Sequence, residues 1–400
     1  APMVDVARDP RWGRVMEGAG EDTYLGCLVA KARVNGFQGN GLGNTDAVMA
    51  CAKHFAAYGA AVGGRDYNSV DMSIRQLNET YLPPFKAAAE ANVATFMNSF
   101  NDINGIPATA NKYIQRDLLK NQWNYKGFVV SDWMDIEHIH DLHATAENIK
   151  EAFYQSIMAG MDMHMHGIHW NEMVVELVKE GRIPESRIDE SVRRILDIKF
   201  RLGLFEQPFA DTSKSMKVRL SKEHRETALE AARNGIVLLK NEGVLPLDAS
   251  KYKKVLVTGI NANDMNVLGD WSAVQKEENV TTILEGLRQV APGTAFDFVD
   301  QGWDPRNMDP AKVAEAEKRA KEADLNIVVA GEYMMRFRWT DRTDGEDTDR
   351  SDLDLVGLQN ELIRKVAASG KPTILILVNG RPLGVEWAAQ HLPAIVETWA

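Results

Sequence analysis

Short apolar runs recur along the first half of the chain, MACAKHF, ATFMNSF, FVVSDW and MDMHMH, and each ends in polar or charged residues. Stretches with helical spacing, about ten to twenty residues long, separate them, which is the rhythm of βα units around a parallel sheet. In such sheets chemistry gathers at the carboxyl ends of the strands, so polar residues there need a reason. Asp5, Lys53, His54, Asn98 and Asp132 all fall at predicted strand ends. The rhythm closes with PESRIDESVRRILDIKFRLGLF, where Ile188, Val192, Ile195 and Leu196 follow helical spacing and Pro184 suits a first turn. FEQPFADTSKSMKVRLSKEH then lacks periodicity and reads as a linker. After a helix and the run GIVLLKNEGVLPL, a second alternation begins with KKVLVTG, AKVAEAEKRAKEAD and LNIVVAGE, and continues through LQNELIRKVAAS and PTILILVNGRP to AIVETWA. The pattern predicts two α/β domains: a barrel-like one over residues 1–208 and a second over 226–400, with a linker over 209–225. APMVDV and AIVETWA both read as strands, so each end of the chain is expected to fall within an element.

Composition changes this picture little. Four hundred residues with 44% apolar content suffice for two cores. The net charge of -11, with no block of consecutive basic residues, argues against a nucleic-acid partner. Cys27 and Cys51 are too few for a disulfide framework, and Cys51 sits in an apolar run as a plain buried thiol would. No apolar run reaches the length of a membrane span.

Asp132 stands where the predicted strand FVV ends, followed at once by Trp133. One reading is a helix N-cap, for which Asp is favoured. The other is chemical: a tryptophan beside a strand-end carboxylate offers the flat apolar surface on which a sugar ring stacks, and such a carboxylate can attack an anomeric carbon. Trp133 as simple core filler is the alternative. Lys53 and His54 form an adjacent pair suited to hydrogen bonds with hydroxyls, or equally to pairing with a nearby acid.

Four segments, RDPRWGRVMEGAGEDTYL, KHFAAYGAAVGGRDYN, NGIPATANKYIQRDLLKNQWNYKGFVVSDW and GIVLLKNEGVLPL, together resemble glycoside hydrolase family 3, and most of all its bacterial β-glucosidases. They occur in the family's order and span nearly the whole chain. The resemblance implies a TIM-like (β/α) barrel, incomplete at its N-terminus, followed by an α/β sandwich domain incomplete at its C-terminus. Relatives are expected to start earlier, with a segment bearing another sugar-binding Asp, and to end later, often with a fibronectin-like domain. It implies that Asp132 is the catalytic nucleophile and that Trp133 lines the sugar subsite. Arg14, Lys53, His54, Arg65 and Met97 match positions around the glycosyl unit. Phe100 departs from the Tyr of many members, which removes one possible hydrogen bond to the nucleophile.

A retaining glycosidase needs a second carboxyl about 5 to 5.5 Å from the first, protonated at the start. In the family it comes from a variable loop of the second domain, and Glu346 in GEDTDRSDL matches best; Glu332, directly after LNIVVAG, competes. The loop itself also reads as a solvated connection. His164, His166 and His169 in MHMHGIHW have a spacing that a zinc ion would accept if a loop folded them together. Strand alternation puts His164 and His166 on one side and says nothing about His169; a strand end that rims the pocket, with no metal, is the expectation, and a sugar contact by one of the three is the alternative.

The resemblance therefore implies an exo-acting retaining β-glucosidase that needs no cofactor and takes a small glycoside or an oligosaccharide as substrate. A periplasmic or secreted location is implied with it. The alternatives are a β-xylosidase or exo-β-glucanase of the same family, a phosphorylase variant, and a catalytically silent carbohydrate-binding homologue.

Overall fold

The computed structural model describes residues 2–400. Two compact units, Ala1–Asp211 and Thr212–Ala400, divide inside the stretch predicted as linker. That stretch carries more structure than its composition suggests. Thr212–Val218 is helical, and a second helix, Lys222–Gly235, starts behind Ser221, whose hydroxyl accepts from His224 N at 3.3 Å. The capping hydroxyl starts this helix inside the stretch predicted as linker, ahead of the helix expected to follow it.

In the first unit the strands are β1 (Cys51–Phe55), β2 (Thr95–Asn98), a two-residue hairpin of β3 (Asp102–Ile103) and β4 (Ile106–Pro107), and β5 (Phe128–Val130). β1, β2 and β5 lie parallel in that order, with Cys51 opposite Thr95 and Thr95 opposite Phe128. Single bridges, Met3 to Lys53 and Val130 to Met163, extend the sheet at both edges. Five successive passes thus lie side by side in chain order, as in a (β/α) barrel. The two outer passes, predicted as strands, are reduced to one bridging residue each. At Met163 the reason is local: Asp162 accepts the Val129 N–H at 3.0 Å and binds Lys120 Nζ at 2.8 Å, so its carboxylate replaces ladder partners.

The helices Thr23–Gln38 and Ile149–Ala159 start at side-chain caps, Asp22 accepting from Leu25 N and Asn148 accepting from Glu151 N. Their apolar stripes close one core with the sheet, in which Ala30, Val34, Phe55, Phe85, Phe96, Val129, Phe153 and Ile157 are buried. Each large side chain so buried contributes about 1.5–3 kcal/mol. The helix Glu185–Arg201 departs from its predicted face. Pro184 is its cap residue and not part of its first turn. Ile188 and Ile195 are half-buried against apolar neighbours, whereas Val192 and Leu196 are exposed. Buried in their place are Arg187 and Ser191, which reach Asp162 at 3.2 and 2.8 Å, so an ion-pair network decides this face.

The second unit holds one six-stranded sheet: β6 (Val237–Asn241), β7 (Lys254–Thr258), β8 (Ala295–Val299), β9 (Leu325–Gly331), β10 (Thr373–Val378) and β11 (Ala394–Glu397). Their spatial order is β6-β11-β10-β9-β7-β8, with β6 antiparallel to β11 and the other neighbours parallel. Leu256, Val328, Leu375 and Ile395 pack on one face with the helices Pro310–Ala320 and Gln359–Ala367. Val255, Phe296 and Ile327, at alternate positions, share the other face with Leu287 and Val290 of the helix Ile283–Val290. Helices therefore cover both faces, an α/β sandwich. Strand order reverses between β7 and β9, the position where open parallel sheets place ligands. Gly331 ends β9 at φ 146°, where a Cβ would meet the Val378 carbonyl oxygen at 2.0 Å. Glu332 follows it directly.

Candidate active site

Arg14 and Glu17 lie three residues apart in the 3-10 turn Gly13–Glu17, a spacing that puts both on one side. Arg14 Nε and Nη2 donate to the two Glu17 oxygens at 2.6 and 3.0 Å. Lys53 Nζ, at the carboxyl half of β1, stands 3.8 Å from Glu17 Oε2. The forked pair aims the guanidinium, and Arg14 Nη2 also lies 3.0 Å from His54 Nε2.

His54 is wholly buried, with Tyr58 edge-on at 5.1 Å between ring centres. Its backbone N–H donates to Asp5 Oδ2 at 2.7 Å, and its Nδ1 lies 3.1 Å from the same oxygen. Burial, with Arg14 and Lys53 close by, holds the imidazole pKa well below its ordinary value. Burial likewise pushes the Asp5 carboxyl up to about 7, against the opposing pull of the His54 N–H and Arg14.

Asp132 follows β5. Oδ1 accepts from Trp133 N at 2.7 Å, and Oδ2 faces His54 Nε2 at 3.5 Å. Burial disfavours the charged imidazole and so weakens any ion-pair character of that contact. Ser131 anchors the strand end: its N–H donates to the Met163 carbonyl at 2.9 Å, and its Oγ accepts from Met165 N at 2.9 Å. The N-cap reading of Asp132 fails. The next helix, His138–Asp141, is preceded by Glu137, and turns occupy the residues between.

Trp133 is 56% exposed and stacks on His166, with ring centres 3.7 Å apart and 10° between planes. His164 instead stacks on Trp170 and lies 3.2 Å from Glu137, while His169 occupies the N-cap position of the helix Trp170–Lys179 with no side-chain hydrogen bond to it. His164 and His166 thus stack on different rings, and the segment that carries them is a single bridge and not a strand. Among the described residues no group of three or more His, Cys, Asp or Glu side chains is arranged to hold a metal.

Arg14, Lys53, His54, Asp132 and Trp133 are therefore drawn together. Arg65 is exposed, with Nε 3.5 Å from its own Val62 carbonyl; its neighbour Asp66 is buried and accepts from Trp12 Nε1 at 2.8 Å. Met97 lies half-buried beside Leu42, Phe128, Val130 and Ile198. Phe100 packs edge-on against Tyr67 at 4.7 Å, inside a cluster with Trp12 and Tyr58. Two further residues, Asp5 and Glu17, belong to this cluster. Asp5 was visible only as a strand end, and Glu17 had only the three-residue spacing from Arg14 to betray it.

In the second unit Glu346 pairs with Arg336, whose guanidinium lies 3.3 Å from the centre of the Trp271 ring. Arg342 Nη2 donates to the Glu346 carbonyl at 2.5 Å, and Asp270 Oδ2 accepts from Glu346 N at 3.3 Å and from Arg342 Nη1 at 3.1 Å. Glu332 is wholly buried between Arg381 and Arg350, at 3.1 and 3.2 Å. Burial raises its pKa well above the ordinary value, and the neighbouring Asp344 adds to the rise.

A strand-end carboxylate among Arg, Lys and His side chains, on a (β/α) barrel followed by an α/β sandwich, is the arrangement of a glycoside hydrolase. The chain belongs to glycoside hydrolase family 3: residues 1–198 match its N-terminal domain model and 236–400 its C-terminal domain model. It is 35% identical to the periplasmic beta-glucosidase of Salmonella typhimurium, over all of this chain and 54% of that protein. It is 36% identical to a beta-xylosidase of Formosa agariphila, over all of this chain and 57% of that protein. The crystal structure of a beta-glucosidase from Listeria innocua in complex with isofagomine superposes with a TM-score of 0.91 at 35% identity, covering all of this chain and 55% of the other. The chain thus spans little more than half the length of these relatives.

Proposed function

We propose that the protein is a retaining, exo-acting β-glycosidase that releases terminal β-D-glucosyl residues from glycosides or short oligosaccharides. The observation that carries this reading is the setting of Asp132: Oδ1 tied to Trp133 N, Oδ2 directed at the His54 imidazole, and Arg14 3.0 Å from that same imidazole edge. Asp132 attacks C1 and forms a covalent glycosyl enzyme while Glu346 protonates the departing oxygen. Glu346 then takes a proton from water as the water attacks C1, so the sugar leaves with its configuration retained. Arg14, Lys53 and His54 bind sugar hydroxyls, with Arg65 and Met97 as further subsite residues. Such contacts strengthen as positive charge develops on the ring.

Glu346 is preferred to Glu332 as acid/base because Glu332 is enclosed by two guanidinium groups that give it a structural task. The beta-xylosidase relative favours a second reading, in which the same two acids act on xylosides. Rates on matched aryl β-glucosides and β-xylosides separate the two: kcat/KM should be higher for the glucoside, and the reverse order would make the xyloside the substrate. No helix among the described residues is long and apolar enough to cross a membrane. The periplasmic name of one relative supports an exported location.

A further inference from the structure

His54 is flanked by two acids and an arginine, and the donors among them limit where its proton can sit. On one side Asp5 Oδ2 receives the His54 backbone N–H at 2.7 Å and lies 3.1 Å from Nδ1. On the other, Arg14 Nη2 lies 3.0 Å from Nε2 and Asp132 Oδ2 lies 3.5 Å from it. A guanidinium has donors and no acceptor. Nε2 must therefore accept, and the single proton of a neutral imidazole must be on Nδ1, pointing at Asp5. The opposite tautomer would set N–H against N–H at Arg14 and a lone pair against the Asp5 carboxyl oxygen. A doubly protonated ring is disfavoured by burial and by the charges of Arg14 and Lys53. Asp5 Oδ1 is buried without a hydrogen-bond partner, so any proton Asp5 holds has a place that leaves Oδ2 as acceptor.

We infer that Asp5 is a positioning residue: it holds His54 as the Nδ1–H tautomer, so that the ring edge facing Asp132 and Arg14 carries a lone pair and no proton. His54 then does not donate to the Asp132 carboxylate. Toward a bound sugar, the same edge accepts from a hydroxyl and does not donate to it. The assignment of the tautomer rests on the donors, acceptors and burial around His54; its effect on rate rests on the proposed role of Asp132.

Long-range proton–nitrogen NMR on the full chain, labelled with ring-15N histidine, tests the tautomer directly. The His54 signal is identified by its loss in His54→Gln. The expected pattern is a protonated Nδ1 and an unprotonated Nε2. Asp5→Ala, which removes the acceptor and leaves Arg14 alone to oppose a proton on Nε2, should shift proton occupancy partly toward Nε2 and lower kcat on the order of 100-fold, the scale of a small misplacement of a working group. Asp5→Asn, whose side-chain carbonyl can accept both N–H groups, should restore the tautomer and most of that loss. A wild-type His54 protonated at Nε2 overturns the inference whether or not Asp5→Ala folds, and so does an Asp5→Ala protein whose proton occupancy on the two ring nitrogens matches the parent's. If no glycoside is turned over, the spectra still decide the tautomer, and the failure falls on the proposed function.

Discussion

Trp133 and His166 lie face to face, 3.7 Å between ring centres, although Trp133 remains more than half exposed. His166 thereby fixes the plane of an indole that would otherwise turn in solvent. An aromatic pair of this kind is worth about 0.5–1.5 kcal/mol beyond the area it buries. His166→Ala should therefore raise KM for disaccharides severalfold, with kcat and thermal unfolding little changed. Michaelis kinetics beside a melting curve check this, and a fall in melting temperature with unchanged KM would make the stack purely structural.

Asp132→Asn keeps an oxygen able to accept from Trp133 N, so the fold should persist. Turnover should drop by several orders of magnitude, because an amide is a poor nucleophile toward C1. In the unsubstituted protein a 2-fluoro glycoside should label the peptide containing Asp132. A label on any other peptide would reassign the nucleophile.

Glu346→Ala and Glu332→Ala should fail in different ways. Without Glu346, poor leaving groups should stall while activated aryl glycosides still complete the first step, and azide should restore turnover as a β-glycosyl azide. Without Glu332, Arg381 and Arg350 lose their shared carboxylate, and breaking such a buried pair costs about 3–5 kcal/mol of stability. Azide rescue in the Glu332 variant alone would exchange the two roles.

The raised pKa of Asp5, about 7 and caused first by burial, gives stability a sign that can be worked out. The folded state keeps a proton that the unfolded chain sheds near the ordinary carboxyl value, so this contribution is complete below about pH 4 and is lost as pH rises to 7. His54 acts in the opposite direction, because the unfolded imidazole takes up a proton below its ordinary value and the folded one does not. Asp5→Asn removes only the first effect. Relative to the parent, the variant should gain stability between pH 4 and 7, by about 4 kcal/mol at most. Urea unfolding at several pH values measures the difference, and a flat difference would mean that Asp5 is not held protonated by burial.

Much of this was legible in local pattern. The alternation of apolar runs and helical stretches marks βα units, and reading strand ends as sites singled out Lys53, His54 and Asp132 without a structure. The linker region, the face of the helix Glu185–Arg201 and the single bridge at Met163 depart from the local pattern for one shared reason. Caps and buried ion pairs act there, and Asp162, Lys120 and Arg187 look in sequence like ordinary surface charges. Pattern along the chain reports the period of an element and the face it buries, because those depend on neighbours a few residues away. Which partner a side chain meets depends on segments far apart. Asp5 reaches His54 across 49 positions, and Arg14 reaches the same ring across 40, so the state of that imidazole was decided only when β1 and the first bridge were laid side by side.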